Sequence, residues 1–166
     1  MIRLQAATPD TVSRAMAILI SGREFQRKEG FTQWSDDYPS RSLLEEDVRL
    51  GRGYFLTVAG KFAAYLCIDP AGDASYADIR GAWHTEEPYA VVHRMAFDAA
   101  FRGRGLSDRA FRLIAEHCRA LGARSLRIDT GVENTRMQHV LEKCGFTYAG
   151  LVFFEGEDRR AYEMAL

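Results

Sequence analysis

The sequence predicts an α/β fold: a single domain over residues 1–166, with helices on both faces of one mixed, mostly antiparallel sheet. Three observations predict it. A chain of 166 residues has the size of one ordinary domain and buries about two thirds of its unfolded surface in a core. Short apolar, β-rich runs alternate with longer segments whose apolar residues recur at helical spacing. Two pairs of β-rich runs are joined by short glycine-containing links, so part of the sheet is built from hairpins.

Taken in order, residues 2–5 form a first strand. Thr8, Pro9 and Asp10 supply a cap and a first-turn proline for a helix running to about Ser21. Ser42 with Glu45 has the spacing of a capping box and opens a second helix that ends before Gly51. Residues 54–58 and 62–68 are apolar and β-rich, and Ala59, Gly60 and Lys61 between them make a hairpin. Residues 69–88 are weakly patterned, with one short strand near 76–79, and read as a loop able to carry function. Residues 89–97 form an apolar strand. A polar turn follows, and then Leu106, Ala110, Ile114, Cys118 and Leu121 recur with helical spacing. Residues 124–130 form the next strand, a helix opens at Asn134, and residues 147–154 and 159–166 flank Glu155, Gly156, Glu157 and Asp158 as a second hairpin.

Composition narrows the class. The net charge of −1 gives no global basic field, so nucleic acid is not an expected partner. Cys67, Cys118 and Cys144 are scattered, odd in number and embedded in apolar patterns, which suits reduced thiols in a core. No targeting pattern and no membrane-length apolar run is present, so the expected location is the cytoplasm, with no membrane partner. No metal site is expected.

The most informative stretch is Phe101, Arg102, Gly103, Arg104, Gly105, Leu106 and Ser107, a glycine turn between strand and helix. A helix N-terminus leaves backbone N–H groups unpaired and carries partial positive charge, and glycines let an anion approach those groups. Phosphates bind in such places, and Arg102 and Arg104 can add charge-assisted hydrogen bonds. The plain alternative is a solvated connection. The third glycine of a dinucleotide fingerprint and the Lys-Ser/Thr of a P-loop are both absent.

Arg102 through Ser107 resembles the Arg/Gln-x-x-Gly-x-Gly/Ala signature of the GNAT superfamily of acyl-coenzyme A N-acyltransferases. Asn134 through Phe146, with Glu142, Lys143, Gly145 and Phe146, is similar to that superfamily's second block. The resemblance is most secure from Phe55 to Phe146. It implies a V-shaped splay between two central parallel strands, 89–97 and 124–130, into which coenzyme A inserts. Backbone atoms of Met95, Ala96 and Phe97 would then hold the pantetheine arm as an added strand. N–H groups from Arg102, Gly103, Arg104, Gly105, Leu106 and Ser107 would hold the pyrophosphate, and Asn134 would bond the cofactor unless it is a helix cap alone. Ser107 departs mildly from the usual Gly/Ala.

The activity so implied is transfer of an acetyl group from acetyl-CoA to a primary amine, by direct attack in a ternary complex. An alkylamine with a pKa near ~10 needs a base or a desolvating site, and the oxyanion needs a donor such as an N–H near Met95. His93 matches the position of a histidine that accepts the proton in some relatives; the other reading is a strand histidine with a backbone partner. Relatives place a tyrosine acid where this chain has Leu141, so Tyr148, a water or an unassisted thiolate would have to serve. For the acceptor, Trp34, Asp36 and Tyr38 combine aromatic area and carboxylate in a segment that suits a cationic amine or is a packed surface loop. Asp129 at a strand end can position the amine or the neighbouring helix. Residues 33–39 with His93, Arg94, Met95 and Ala96 resemble a group of bacterial GNAT proteins of unassigned substrate. The expected acceptor is a small molecule. A non-catalytic acyl-CoA binding module and an unrelated nucleotide-binding domain are the other classes, and a homodimer is compatible with the exposed sheet edges.

Overall fold

The structure is a computed structural model and describes all residues, Met1–Leu166. The elements are β1 (Ile2–Ala6), α1 (Val12–Lys28), α2 (Arg41–Arg49), β2 (Gly53–Val58), β3 (Lys61–Asp69), β4 (Arg80–Gly81), β5 (Tyr89–Phe97), α3 (Ser107–Ala120), β6 (Ser125–Gly131), α4 (Thr135–Lys143), β7 (Thr147–Phe154) and β8 (Glu157–Ala165). Short 3-10 turns cover Pro9–Thr11 and Ala74–Asp78. The strands form one eight-stranded sheet in the order β1-β2-β3-β5-β6-β8-β7-β4. β5 and β6 are a parallel pair within a mostly antiparallel sheet. Their pairing covers Tyr89, Ala90 and Val91 against Ser125, Leu126 and Arg127 and does not continue beyond. No helix is long and apolar enough to cross a membrane.

The chain divides into two compact units. The first comprises Met1–Ile68 and His93–Ala110. In it α1 presents Val12, Ala15, Ile18, Leu19 and Gly22, spaced at three and four residues, to a core shared with Trp34, Leu44, Phe55, Tyr65 and Ala96. This helix runs to Lys28, well past the expected end near Ser21, because Gly22 lies on the buried stripe and no proline follows to stop the turn. α2 is capped by Ser40, whose Oγ accepts from Leu43 N at 3.3 Å, and not by Ser42, which sits inside the first turn. The β2–β3 hairpin closes through Ala59 and Gly60, both at positive φ (50° and 78°), the two-residue turn that matches strand twist.

The second unit comprises Asp69–Val92 and Phe111–Leu166. Tyr76, Val91, Val152 and Ala161 form one buried cluster, and Phe111 packs edge-on against Phe146 at 5.1 Å. Of residues 76–79, expected as a strand, 76–78 belong to the 3-10 turn and Ile79 follows it, because the Asp73 carboxylate captures Ser75 N at 2.9 Å and Ser75 Oγ at 2.6 Å. β7 and β8 turn through Glu155 and Gly156 alone, a shorter link than the four residues read from sequence. In this unit the Arg127 guanidinium stacks between Trp83 (4.3 Å) and Tyr89 (3.9 Å) and pairs with Glu163 at 2.9 Å. Glu163 also accepts from His84 N at 2.6 Å and Thr85 Oγ1 at 2.7 Å, so the segment before β5 is fastened to β8. Burial by itself would raise the Glu163 carboxyl; the Thr85, His84 and Arg127 hydrogen bonds outweigh it and hold it below its ordinary value.

Candidate functional site

The glycine turn is assembled by Asp98, directly after β5. Its carbonyl accepts from Phe101 N (2.9 Å) and Arg102 N (3.0 Å), its Oδ1 accepts from Ala100 N (2.9 Å), and its Oδ2 takes Arg14 Nη2 at 2.7 Å. Asp98 N donates to Ala63 O at 2.8 Å, which ties the turn to β3. An aspartate closing its own turn in this way is a common device, and no reading of the glycines alone would single it out.

Within the turn Gly103 (φ 74°) and Gly105 (φ 69°) lie in the left-handed region, and a Cβ built on either meets nothing within 4 Å. Open space over two left-handed glycines one residue apart, just ahead of a 14-residue helix, is the form of an amide cradle for an anion. The residues present therefore fit a pyrophosphate. Arg104 is exposed, with its guanidinium over the Phe101 ring at 5.6 Å. Arg102 points elsewhere: its Nη2 donates to Phe97 O at 3.1 Å and its guanidinium stacks on Phe25 at 4.3 Å, so it braces the turn against α1. Leu106 O accepts from Ala110 N at 2.9 Å, and Ser107 is the first residue of α3.

Upstream in β5, Ala96 is buried while His93, Met95 and Phe97 are half-buried. Arg94 is the unexpected residue. Its φ of 52° is left-handed, in the interior of a strand. Its guanidinium makes two bonds to the Asp47 carboxylate, Nη2 to Oδ1 at 2.6 Å and Nε to Oδ2 at 3.0 Å, and its Nη1 donates to Tyr38 Oη at 3.3 Å. Burial works against the Arg94 charge, and the Asp47 hydrogen bonds more than offset it, so Arg94 stays charged. Asp47 carried a sequence signal, a carboxylate sharing the inward face of α2 with Leu44.

The first unit thus gathers Trp34, Asp36, Tyr38, His93, Met95, Ala96, Phe97 and the glycine turn. The Trp34 ring is core, 5% exposed. Asp36 stands at the surface paired with Arg27 at 2.6 Å, and the Arg27 hydrogen bond and charge hold its carboxyl below the ordinary value. The second unit holds Asp129, Asn134 and Tyr148. Both Asp129 oxygens are engaged, Oδ2 by Tyr76 Oη (2.6 Å) and Oδ1 by Arg159 Nε (2.5 Å). Asn134 is the N-cap of α4, accepting from Met137 N at 3.1 Å. Tyr148 is 40% exposed, with Arg160 over its ring at 4.2 Å, and Leu141 is fully buried.

With this geometry in hand, known proteins sharpen the picture. The sequence model of the Acetyltransferase (GNAT) family matches residues 20–146, most of the chain. The chain belongs to the acetyltransferase (GNAT) family. A solved GNAT-family acetyltransferase from Streptococcus agalactiae 2603 superposes with a TM-score of 0.91 at 29% identity, covering 99% of this chain and 95% of that one. AAC(6')-Ib, solved in complex with ribostamycin and coenzyme A, shares the fold at a TM-score of 0.73 and 17% identity, over 99% of this chain and 93% of that one. Mycothiol acetyltransferase of Corynebacterium glutamicum (strain R) is 40% identical over 58 residues, which is 35% of this chain and 20% of that relative. The match thus spans about a fifth of the curated relative's length.

Proposed function

We propose that this GNAT protein is an acetyl-CoA-dependent N-acetyltransferase acting on a primary amine of a small molecule, with residues 1–166 working as one catalytic domain. The observation that carries the reading is the open, left-handed pair Gly103 and Gly105 between β5 and α3. Amides of that turn bind the pyrophosphate, and the backbone of Met95, Ala96 and Phe97 receives the pantetheine arm as a strand edge would. Acetyl-CoA is a substrate here, consumed in each turnover.

His93 accepts a proton from the incoming ammonium, directly or through water, so that the amine lone pair can attack the thioester carbon. An N–H near Met95 donates to the oxyanion. The C–S bond then breaks as the nitrogen sheds its second proton, which passes to the departing thiolate through solvent; with a thiol pKa near ~8.5 that thiolate is a fair leaving group without a dedicated acid. The acceptor class draws support from the relatives, since one is a mycothiol acetyltransferase and another was solved with an aminoglycoside.

Thiol release from acetyl-CoA, followed across a panel of small amines, aminoglycosides and N-terminal peptides, tests the proposal. Amine-dependent release with a small-molecule acceptor is expected; release only with peptides would reassign the acceptor. Leu141, fully buried where relatives carry a tyrosine, favours a second reading as a non-catalytic acyl-CoA binding module. Binding with no thiol release for any amine would select it.

A further inference from the structure

The glycine turn does not explain why a nine-residue strand should carry a left-handed arginine. Three non-glycine residues have positive φ, and Ala59 and Glu155 both sit in hairpin turns; Arg94 alone lies inside a strand. An L-residue keeps that conformation only where its surroundings over-determine it. At Arg94 they do: two bonds to Asp47, one to Tyr38, and side-chain exposures of 11% and 4% for the Arg94–Asp47 pair. Tyr65 Oη braces the same carboxylate, donating at 2.9 Å to Oδ2, the oxygen that Arg94 Nε also engages.

Pair and backbone conformation are therefore one device. If Arg94 returned to an extended conformation its side chain would swing away and leave the Asp47 carboxylate buried without its cation; if Asp47 lost its charge, the strained residue would lose its two charge-assisted bonds and keep the weaker one to Tyr38. A left-handed residue in a strand re-aims everything beyond it. What lies beyond is Met95, Ala96 and Phe97, and the Phe97 carbonyl is in turn held by Arg102 of the glycine turn.

We propose that Asp47 is a positioning residue for acyl-CoA: by clamping Arg94 in its left-handed conformation it sets the strand edge of Met95, Ala96 and Phe97 that receives the pantetheine arm. The inference rests on the acyl-CoA reading above. Through Tyr38 the same clamp reaches the segment after α1, so one carboxylate on α2 fixes both the strand edge and that segment.

The experiment compares acetyl-CoA affinity by calorimetry, and thermal midpoint, for wild type, Asp47→Asn, Tyr65→Phe and the double variant Asp47→Asn/Arg94→Gly. If loss of the clamp leaves only about a tenth of molecules with the competent strand edge, Asp47→Asn raises Kd about tenfold. Tyr65→Phe removes a hydrogen bond to the same carboxylate but leaves the clamp, so it lowers the midpoint with Kd near wild type. Glycine takes a φ of 52° freely and leaves no orphaned cation, so the double variant recovers affinity toward wild type. Asp47→Glu, which displaces the carboxylate by one methylene, reads the same loss should Asp47→Asn not fold. Wild-type affinity in the Asp47 variants, or a loss that merely tracks stability and appears equally in Tyr65→Phe, overturns the clamp while leaving the acyl-CoA reading intact. Absence of binding by the wild type overturns both.

Discussion

Gly105→Ala separates the anion cradle from ordinary backbone strain. At φ 69° an alanine is forced into the left-handed region, which costs about 1 kcal/mol. For a chain of this length that lowers the thermal midpoint by about 2–4 °C. The added methyl meets no protein atom within 4 Å, so the protein itself resists it in no other way. Its effect on acetyl-CoA is separate. A methyl in the space above the turn keeps the pyrophosphate off the amides, and losing one hydrogen bond to a charged group costs about 1.5–3 kcal/mol, roughly ten- to hundredfold in Kd. Gly51 provides the control, with the same φ of 69° and the same open surroundings, in the link after α2. Gly51→Ala should show the same fall in midpoint and wild-type affinity. The assay is calorimetric titration with acetyl-CoA alongside a thermal melt of each variant. Equal affinities for Gly105→Ala and Gly51→Ala would refute the cradle.

Further outcomes follow from the second unit, the thiols and β5. Glu163→Leu leaves Arg127 buried and unpaired, so stability should fall by about 3–5 kcal/mol, or roughly 6–20 °C, and Arg127→Leu added to it should restore part of the loss; no change on thermal melting would remove the buried pair from any structural role. Because the Glu163 carboxyl sits below its ordinary value in the fold, its contribution is present above its unfolded pKa of about 4.3 and is lost as pH falls through the lower folded value; melts from pH 6 to pH 3 should show that loss in wild type and not in the double variant. Burial pushes the Cys118 thiol up to about 12 and Cys67 is buried, so a thiol reagent at neutral pH should label partly exposed Cys144 first, and fast labelling of all three cysteines would contradict the packing. His93→Ala should slow acetyl transfer at neutral pH and recover as pH rises toward the amine pKa; a profile matching wild type would dismiss His93 as the base.

Much of the fold was legible because its signals are local. The β2–β3 hairpin, β5 and the glycine turn are written in alternation, glycine placement and helical spacing, and the bounds of β5 coincide with the expected 89–97. What was not legible depends on partners far along the chain. Residues 76–79 carry strand-like composition, yet Tyr76 is held in a turn by a bond to Asp129, 53 positions away. α1 outruns its expected end because its buried stripe continues through Gly22. At the candidate site the same divide holds. The glycines announce themselves, whereas Arg102 reads as a phosphate ligand in sequence and turns out to stack on Phe25 and brace Phe97. Trp34, read as acceptor surface or as part of a packed loop, is core, and Asp129, read as positioning the amine or the neighbouring helix, has its two oxygens engaged by Tyr76 and Arg159. The Arg94–Asp47 pair spans 47 positions, and only the fold joins an inward carboxylate on α2 to an arginine in β5.

The most direct measurement is calorimetric titration of the purified protein with acetyl-CoA, with ATP and desulfo-coenzyme A as comparison ligands. Micromolar binding of acetyl-CoA and desulfo-coenzyme A, with ATP much weaker, is the expected result, because both the turn amides and the β5 edge then contribute. Equal binding of ATP and acetyl-CoA, or no binding of either coenzyme A form, would contradict the assignment of β5 and the Gly103–Gly105 turn as an acyl-CoA site.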